Sequence, residues 1–178
     1  EAFAEVAVAT RKWAAMHPKA LMKDPLTIDD VMTARMICWP FTLLMCCLVT
    51  DGAGAIVVTS AQRAKALHAR PIYVLGSGFA HWHRQISCME DLTVTPAVES
   101  GRKAFAQAGL RPADIDVVQL YDAFTINPIL FLEDLGICKK GEGGAFVSGG
   151  RIAPGGAFPM NTNGGGLSCV HPGMYSLF

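Results

Sequence analysis

Gly164, Gly165 and Gly166 stand in a row, and Leu167-Ser-Cys-Val-His171-Pro172-Gly173 follows them directly. Three successive residues without a Cβ let a backbone turn and approach a neighbour where no other sequence fits. His171 follows closely, and imidazole is the side chain best suited to move protons near neutral pH. Pro172 and Gly173 then shape the chain, and Met174 to Phe178 read as the opening of a helix. A glycine turn, a base and a helix N-terminus together suit acyl transfer or anion binding.

The bulk numbers narrow the setting. The 178 residues are 51% apolar and 17% charged, so much surface is expected to be buried. Lys plus Arg and Asp plus Glu are fifteen each, without a basic tract, which argues against nucleic acid as a partner. None of the six cysteines forms a Cys-x-x-Cys pair, so reduced thiols and a cytoplasmic setting are expected. The most apolar run, Met36 to Val49, contains Pro40 and is too short for a bilayer span, so it reads as buried core. The helical pattern already runs at Glu1, and another helix starts as the sequence stops, so the chain reads as an internal piece of a larger fold.

Helices and apolar strands alternate. Phe3, Val6, Thr10, Trp13 and Met16 recur at three- and four-residue steps, predicting a helix over 1–16 that His17-Pro18 ends. Thr27 is placed to cap a short helix with Asp30 in its first turn. Asp51 to Val58 reads as a glycine turn running into a strand, and Ser60 caps a helix from Ala61 to about Leu67. Arg70-Pro71 is a seam, and Ile72 to Leu75 is a further strand. Thr95-Pro96 opens a helix over Ala97–Ala108 that Gly109 stops. Asp116 to Leu120 reads as a buried strand, Asn127-Pro128 as a helix start, and Gly141 to Gly156 as a surface loop. The pattern is α/β.

Each chemical candidate has a plainer reading. His171 is a general base or oxyanion donor, or a buried histidine bonded to backbone. Gly165 and Gly166 form an N–H nest for an oxygen, or a tight connection. Tyr121 and Asp122 end a strand where sheets face ligand crevices, or Asp122 caps a helix. Cys169 invites a thiol–imidazole pairing with His171, but the structural role is favoured, and Cys46-Cys47 reads as packed core. His81-Trp-His83 with Cys88 and Glu90 lacks the spacing of a zinc site, so no metal is expected.

The ordered blocks resemble the thiolase superfamily, closest to its sterol-carrier-type, lipid-transfer branch. They are Asp51-Gly-Ala-Gly-Ala, Ala108-Gly-Leu-Arg-Pro-Ala-Asp-Ile-Asp116, Tyr121-Asp-Ala-Phe124, Asn161-Thr-Asn-Gly-Gly-Gly166 and His171-Pro172. The resemblance runs along the whole chain. It implies a partial thiolase-like fold: residues 1–68 as the loop region and last strand and helix of the first half, and 69–178 as a truncated second half. It also implies carbon–carbon bond cleavage or formation on acyl-CoA, with coenzyme A as substrate rather than a covalently bound cofactor. A homodimer is expected, without a membrane span.

By the same resemblance His171 activates a cysteine nucleophile and helps hold the thioester oxygen. Tyr121 takes the position whose asparagine or histidine helps bind the other oxyanion, Asp122 borders the pocket, and Gly165 and Gly166 shape it. Both family cysteines would lie outside residues 1–178, so these residues alone are not expected to turn over. Two departures stand out: Val170 replaces a glycine before the histidine, and Tyr121 replaces an amide or imidazole. The alternative is a non-catalytic acyl-CoA- or lipid-binding module of the same fold.

Overall fold

Helix α1, Ala2–Met16, is the axis on which the rest is assembled. Its alanines and valines leave little side-chain bulk, and Ala4, Val6 to Arg11 and Ala14 are all buried. The expected stripe is therefore only part of the buried face, and its last member, Met16, is exposed. The helix ends at His17, whose backbone is extended before Pro18. The structure is a computed structural model that describes residues 1–67, 70–173 and 175–178. The expected boundary between 68 and 69 falls on residues outside those described.

Helix α2, Ile28–Thr33, opens with a capping box between Thr27 and Asp30. The apolar run that follows is not uniformly core. It forms a small antiparallel hairpin, β1 (Met36–Cys38) and β2 (Phe41–Thr42), with a cis Trp39–Pro40 bond between them. The three residues of β1 and Trp39 are exposed, whereas Thr42 and Met45 are buried. A two-stranded ribbon has one covered face at most, so an unbroken apolar run cannot bury every side chain.

Helix α3, Ala61–Ala66, is capped by the Ser60 hydroxyl, which accepts from the Arg63 N–H. Helix α4, Ala97–Ala108, spans the predicted residues and ends at Gly109 in the left-handed region. Helix α5, Ile126–Asp134, starts just before Asn127, because that side chain reaches back to accept the Phe124 N–H.

Two predicted strands do not form, and the third, 116–120, is reduced to an isolated bridge at Val118. Residues 51–58 and 72–75 join no ladder among the described residues, and Val57, Val58, Ile72 and Val74 are largely exposed. A strand exists only where a second backbone supplies its hydrogen bonds.

The glycine-rich segment 141–156 is also corrected. It holds helix α6, Gly143–Val147, and its Val147 and Ile152 are fully buried. These two join Val6, Leu120, Leu132 and Met160 in the main apolar cluster. Burying side chains of that size is worth roughly 1.5–3 kcal/mol each, enough to draw a glycine-rich segment inward.

Candidate functional site

The segment 117–122 alternates strictly between exposed and buried, as one strand does. Val118 is held in a parallel bridge to Met160, and the Asn161 N–H donates to the Val118 carbonyl. Asn161 adopts a left-handed backbone (φ 49) and turns its amide onto Leu120. Its Oδ1 accepts the Leu120 N–H at 2.8 Å, and its Nδ2 donates to the Leu120 carbonyl at 2.8 Å. One buried amide thus replaces a neighbouring strand. The alternation then sends Tyr121 outward and Asp122 inward.

Past Asp122 the chain is tied to a strap of residues 45–50. Cys46 bridges Phe124, the Cys47 N–H donates to the Ala123 carbonyl, and the Leu48 N–H donates to the Gly166 carbonyl. The Thr50 hydroxyl accepts the His171 N–H at 2.8 Å. Sequence reasoning missed this strap, because nothing local marks Leu48 or Thr50 as partners of residues more than one hundred positions away.

The glycine run forms a π-turn, Gly165–Cys169, preceded by Gly164 at φ 102. A Cβ on Gly164 would stand 2.5 Å from the Ala14 Cβ of α1, so close packing as well as backbone conformation demands glycine there. The three glycine N–H groups are all engaged internally. Gly164 donates to the Asn161 carbonyl, Gly165 to Asn163 Oδ1 and Gly166 to Asp122 Oδ1. They therefore build a tight connection, and a nest free to receive an outside oxygen is not what they form. From below, the Arg11 Nε donates to Ser168 Oγ and anchors the turn to α1.

His171 emerges half-buried from this turn. Its Nε2 lies 2.9 Å from Tyr121 Oη, with the two rings tilted by 30°. Tyr175 completes a triangle of rings, its centroid 5.8 Å from His171 and 6.0 Å from Tyr121. Tyr175 opens a short 3-10 turn, Tyr175–Leu177, where the helix opening was expected from Met174, which lies outside the described residues. Tyr121 is 46% exposed, so a ligand can reach its hydroxyl. Beside it lies a cavity of about 480 Å³, bordered by Gln119, Asn161, Asn163, Tyr175 and Phe178.

Asp122 is fully buried behind the glycines, so it backs the loop instead of facing the cleft. Burial pushes its carboxyl up to about 6, although N–H groups of Gly166 and Leu167 and the Asn161 amide favour the ionised form. Burial raises the Tyr121 phenol, with further contributions from Cys47 and Asp122. The Tyr175 phenol is driven well above its usual range by burial first and by Asp122 second.

Cys169 packs with Ala14 and Ala20, and its nearest imidazole is His17, 4.0 Å from its sulfur. The expected structural role therefore fits its surroundings, and burial raises its thiol. Cys46 and Cys47 are half-buried. Among the described residues no group of three His, Cys, Asp or Glu side chains is placed to hold a metal ion.

Residues 78–178 match the thiolase C-terminal domain-like family. This chain belongs to that family. It is 40% identical over 176 residues to the 17-hydroxy-3-oxo-4-pregnene-20-carboxyl-CoA lyase of Mycobacterium tuberculosis, covering 93% of this chain and 44% of that protein. It is 37% identical over 177 residues to the benzoylsuccinyl-CoA thiolase subunit BbsB of Thauera aromatica, covering 97% and 45%. Among solved structures, the Ltp2-ChsH2(DUF35) aldolase superposes with a TM-score of 0.89 at 36% identity, over 96% of this chain and 46% of that one. The thiolase-like chain thus spans about half the length of the relatives it matches. Its fold is thiolase-like, and no helix among the described residues is long and apolar enough to cross a membrane.

Proposed function

We propose that this chain carries the proton-transfer half of a site that makes or breaks a carbon–carbon bond next to a coenzyme A thioester. The observation that carries the reading is the 2.9 Å contact between His171 Nε2 and the Oη of Tyr121, a residue that lines a cavity. A phenol paired to an imidazole is a general acid–base couple. It suits a β-hydroxyacyl thioester. Tyr121 passes its proton to His171 in concert as its oxygen takes the substrate hydroxyl proton, so no free phenolate has to form. The Cα–Cβ bond then breaks, its electron pair passes to Cα, and Cβ becomes a carbonyl. The enolate of the shortened thioester takes a proton from the same couple. Lyase and aldolase appear among the names of the relatives, which supports this direction of chemistry.

A second reading is thioester acyl transfer in the manner of a thiolase, supported by the benzoylsuccinyl-CoA thiolase relative. It needs a cysteine thiolate beside His171; among the described residues no cysteine sulfur hydrogen-bonds that ring, and the chain spans less than half the length of this relative. In both readings Gly165 and Gly166 hold the buried turn from which His171 emerges.

The full-length protein, offered a β-hydroxyacyl-CoA and separately a β-ketoacyl-CoA with free coenzyme A, separates them. The first reading expects a released aldehyde or ketone without added coenzyme A. Cleavage only of the keto substrate, and only with added thiol, would establish the second. Saturable acyl-CoA binding without turnover of either would leave the chain a binding module.

A further inference from the structure

The carboxyl group of Asp122 has no contact with the cleft, yet the fold makes room for it at unusual cost. It lies on the inward side of the strand whose outward side presents Tyr121. Oδ1 accepts the Gly166 N–H at 2.7 Å, while Oδ2 is buried without a hydrogen-bond partner. A Cβ on Gly165 would stand 2.0 Å from Oδ2. A Cβ on Gly166 would stand 2.7 Å from His171 Cδ2 and 3.0 Å from Asp122 Oδ1. The carboxyl and the imidazole thus both crowd the one position that a Cβ on Gly166 would occupy. Gly166 is pinned at its N–H by Asp122 and at its carbonyl by Leu48.

We propose that Asp122 is a positioning residue: through Gly166 it sets where the His171 ring meets Tyr121. The inference rests on the acid–base reading of the Tyr121–His171 pair. A buried acceptor left without a partner costs about 1–3 kcal/mol. An apolar residue of similar size would avoid that cost but would leave the buried Gly166 N–H without its acceptor. The groups facing Asp122 are Tyr121 on its own strand, Cys47 on the strap, Cys169 in the π-turn, and His171 and Tyr175 beyond it. A permanent cation, Arg11, is bonded to Ser168 Oγ in the same turn. Burial favours its protonated form below about pH 6. The positioned, charged state therefore belongs to the neutral and alkaline range.

The test uses the full-length protein labelled with ¹⁵N-glycine, together with Asp122→Asn and Asp122→Ala. The Gly166 amide resonance is expected to titrate with a midpoint near pH 6 and to stop doing so in Asp122→Asn. Crystal structures of Asp122→Ala are expected to show the Tyr121–His171 hydrogen bond broken. Asp122→Asn, which retains the acceptor for Gly166, is expected to keep that bond. It should lower kcat about 10- to 100-fold with KM little changed, the scale of a misplaced or uncompensated acid–base group, and remove the acidic limb of the pH–rate profile. A Gly166 amide that ignores pH, or an Asp122→Ala crystal with the bond intact, overturns the proposal whether or not any turnover is found. If Asp122→Ala fails to fold, Gly166→Ala asks the same question, since its methyl presses on His171 Cδ2 and should displace the ring. An undisturbed ring there counts against the inference. Loss of all carbon–carbon bond activity in the unsubstituted protein would remove the functional reading alone, and the amide titration and the crystal geometry would still decide the positioning role.

Discussion

Residues 116–120 and 72–75 have similar apolar, β-branched character, yet they end in opposite states. The first is stitched to Met160 and Asn161 and buries Val118 and Leu120. The second leaves Ile72 98% exposed. Side-chain character does not separate them. What separates them is a partner for the backbone, which the first finds in residues 159–161 and the second does not find among the described residues. The comparison shows how the site is made: Tyr121 and Asp122 are placed because the strand before them is locked.

The hardest way to break the stitched region is at its closest approach. Gly164→Ala would force a Cβ to 2.5 Å from Ala14 Cβ at a φ of 102. Strain of 1–3 kcal/mol in the backbone and a similar overpacking penalty combine to a loss of about 3–5 kcal/mol, read as a lower urea midpoint. A stability change below about 1 kcal/mol would mean that α1 and the π-turn are not packed this tightly.

Asn161→Ala comes next. It removes both amide bonds to Leu120 and leaves a buried N–H and C=O without partners, which costs about 2–4 kcal/mol. It should also release Tyr121, so rate falls along with stability. An intact rate with lowered stability would show that the strand alone places the tyrosine.

Linkage gives the third prediction. The Asp122 carboxyl is raised in the folded chain from 3.8 to about 6. The folded state therefore binds the proton more tightly than the unfolded chain. That contribution to stability is complete below about pH 4 and is lost as pH rises through about 6. Urea midpoints of the parent and Asp122→Asn should diverge over this window, with the parent losing relative stability toward neutral pH. Parallel curves would place the carboxyl in water. Stability thus favours the neutral carboxyl, whereas the site uses the charged one.

Much of this was legible in sequence, and the limits have physical causes. Helices α1 and α4 declare themselves through local periodicity, proline and glycine, because helix hydrogen bonds are made within the segment. No strand forms at 51–58 or 72–75 among the described residues, because a ladder depends on a distant partner that no local pattern reveals. The glycines and His171 were found as a group, yet the loop's N–H groups proved to be satisfied by Asn161, Asn163 and Asp122. Thr50 and Leu48 escaped notice for the same reason as the ladders, since their hydrogen bonds cross more than a hundred residues.

The smallest effect belongs to the other half of the comparison. Ile72→Ser in the 178-residue chain should change stability by less than about 0.5 kcal/mol, since the side chain is already in water. A loss several times larger would show that this segment is covered.

The central claim is that a phenol and an imidazole in contact move the proton. The most direct measurement is kcat/KM for Tyr121→Phe in the full-length protein on a β-hydroxyacyl-CoA. Removing one oxygen should lower it about 10²- to 10⁴-fold with the fold unchanged by circular dichroism. Phenylalanine supporting the parent rate would contradict the account.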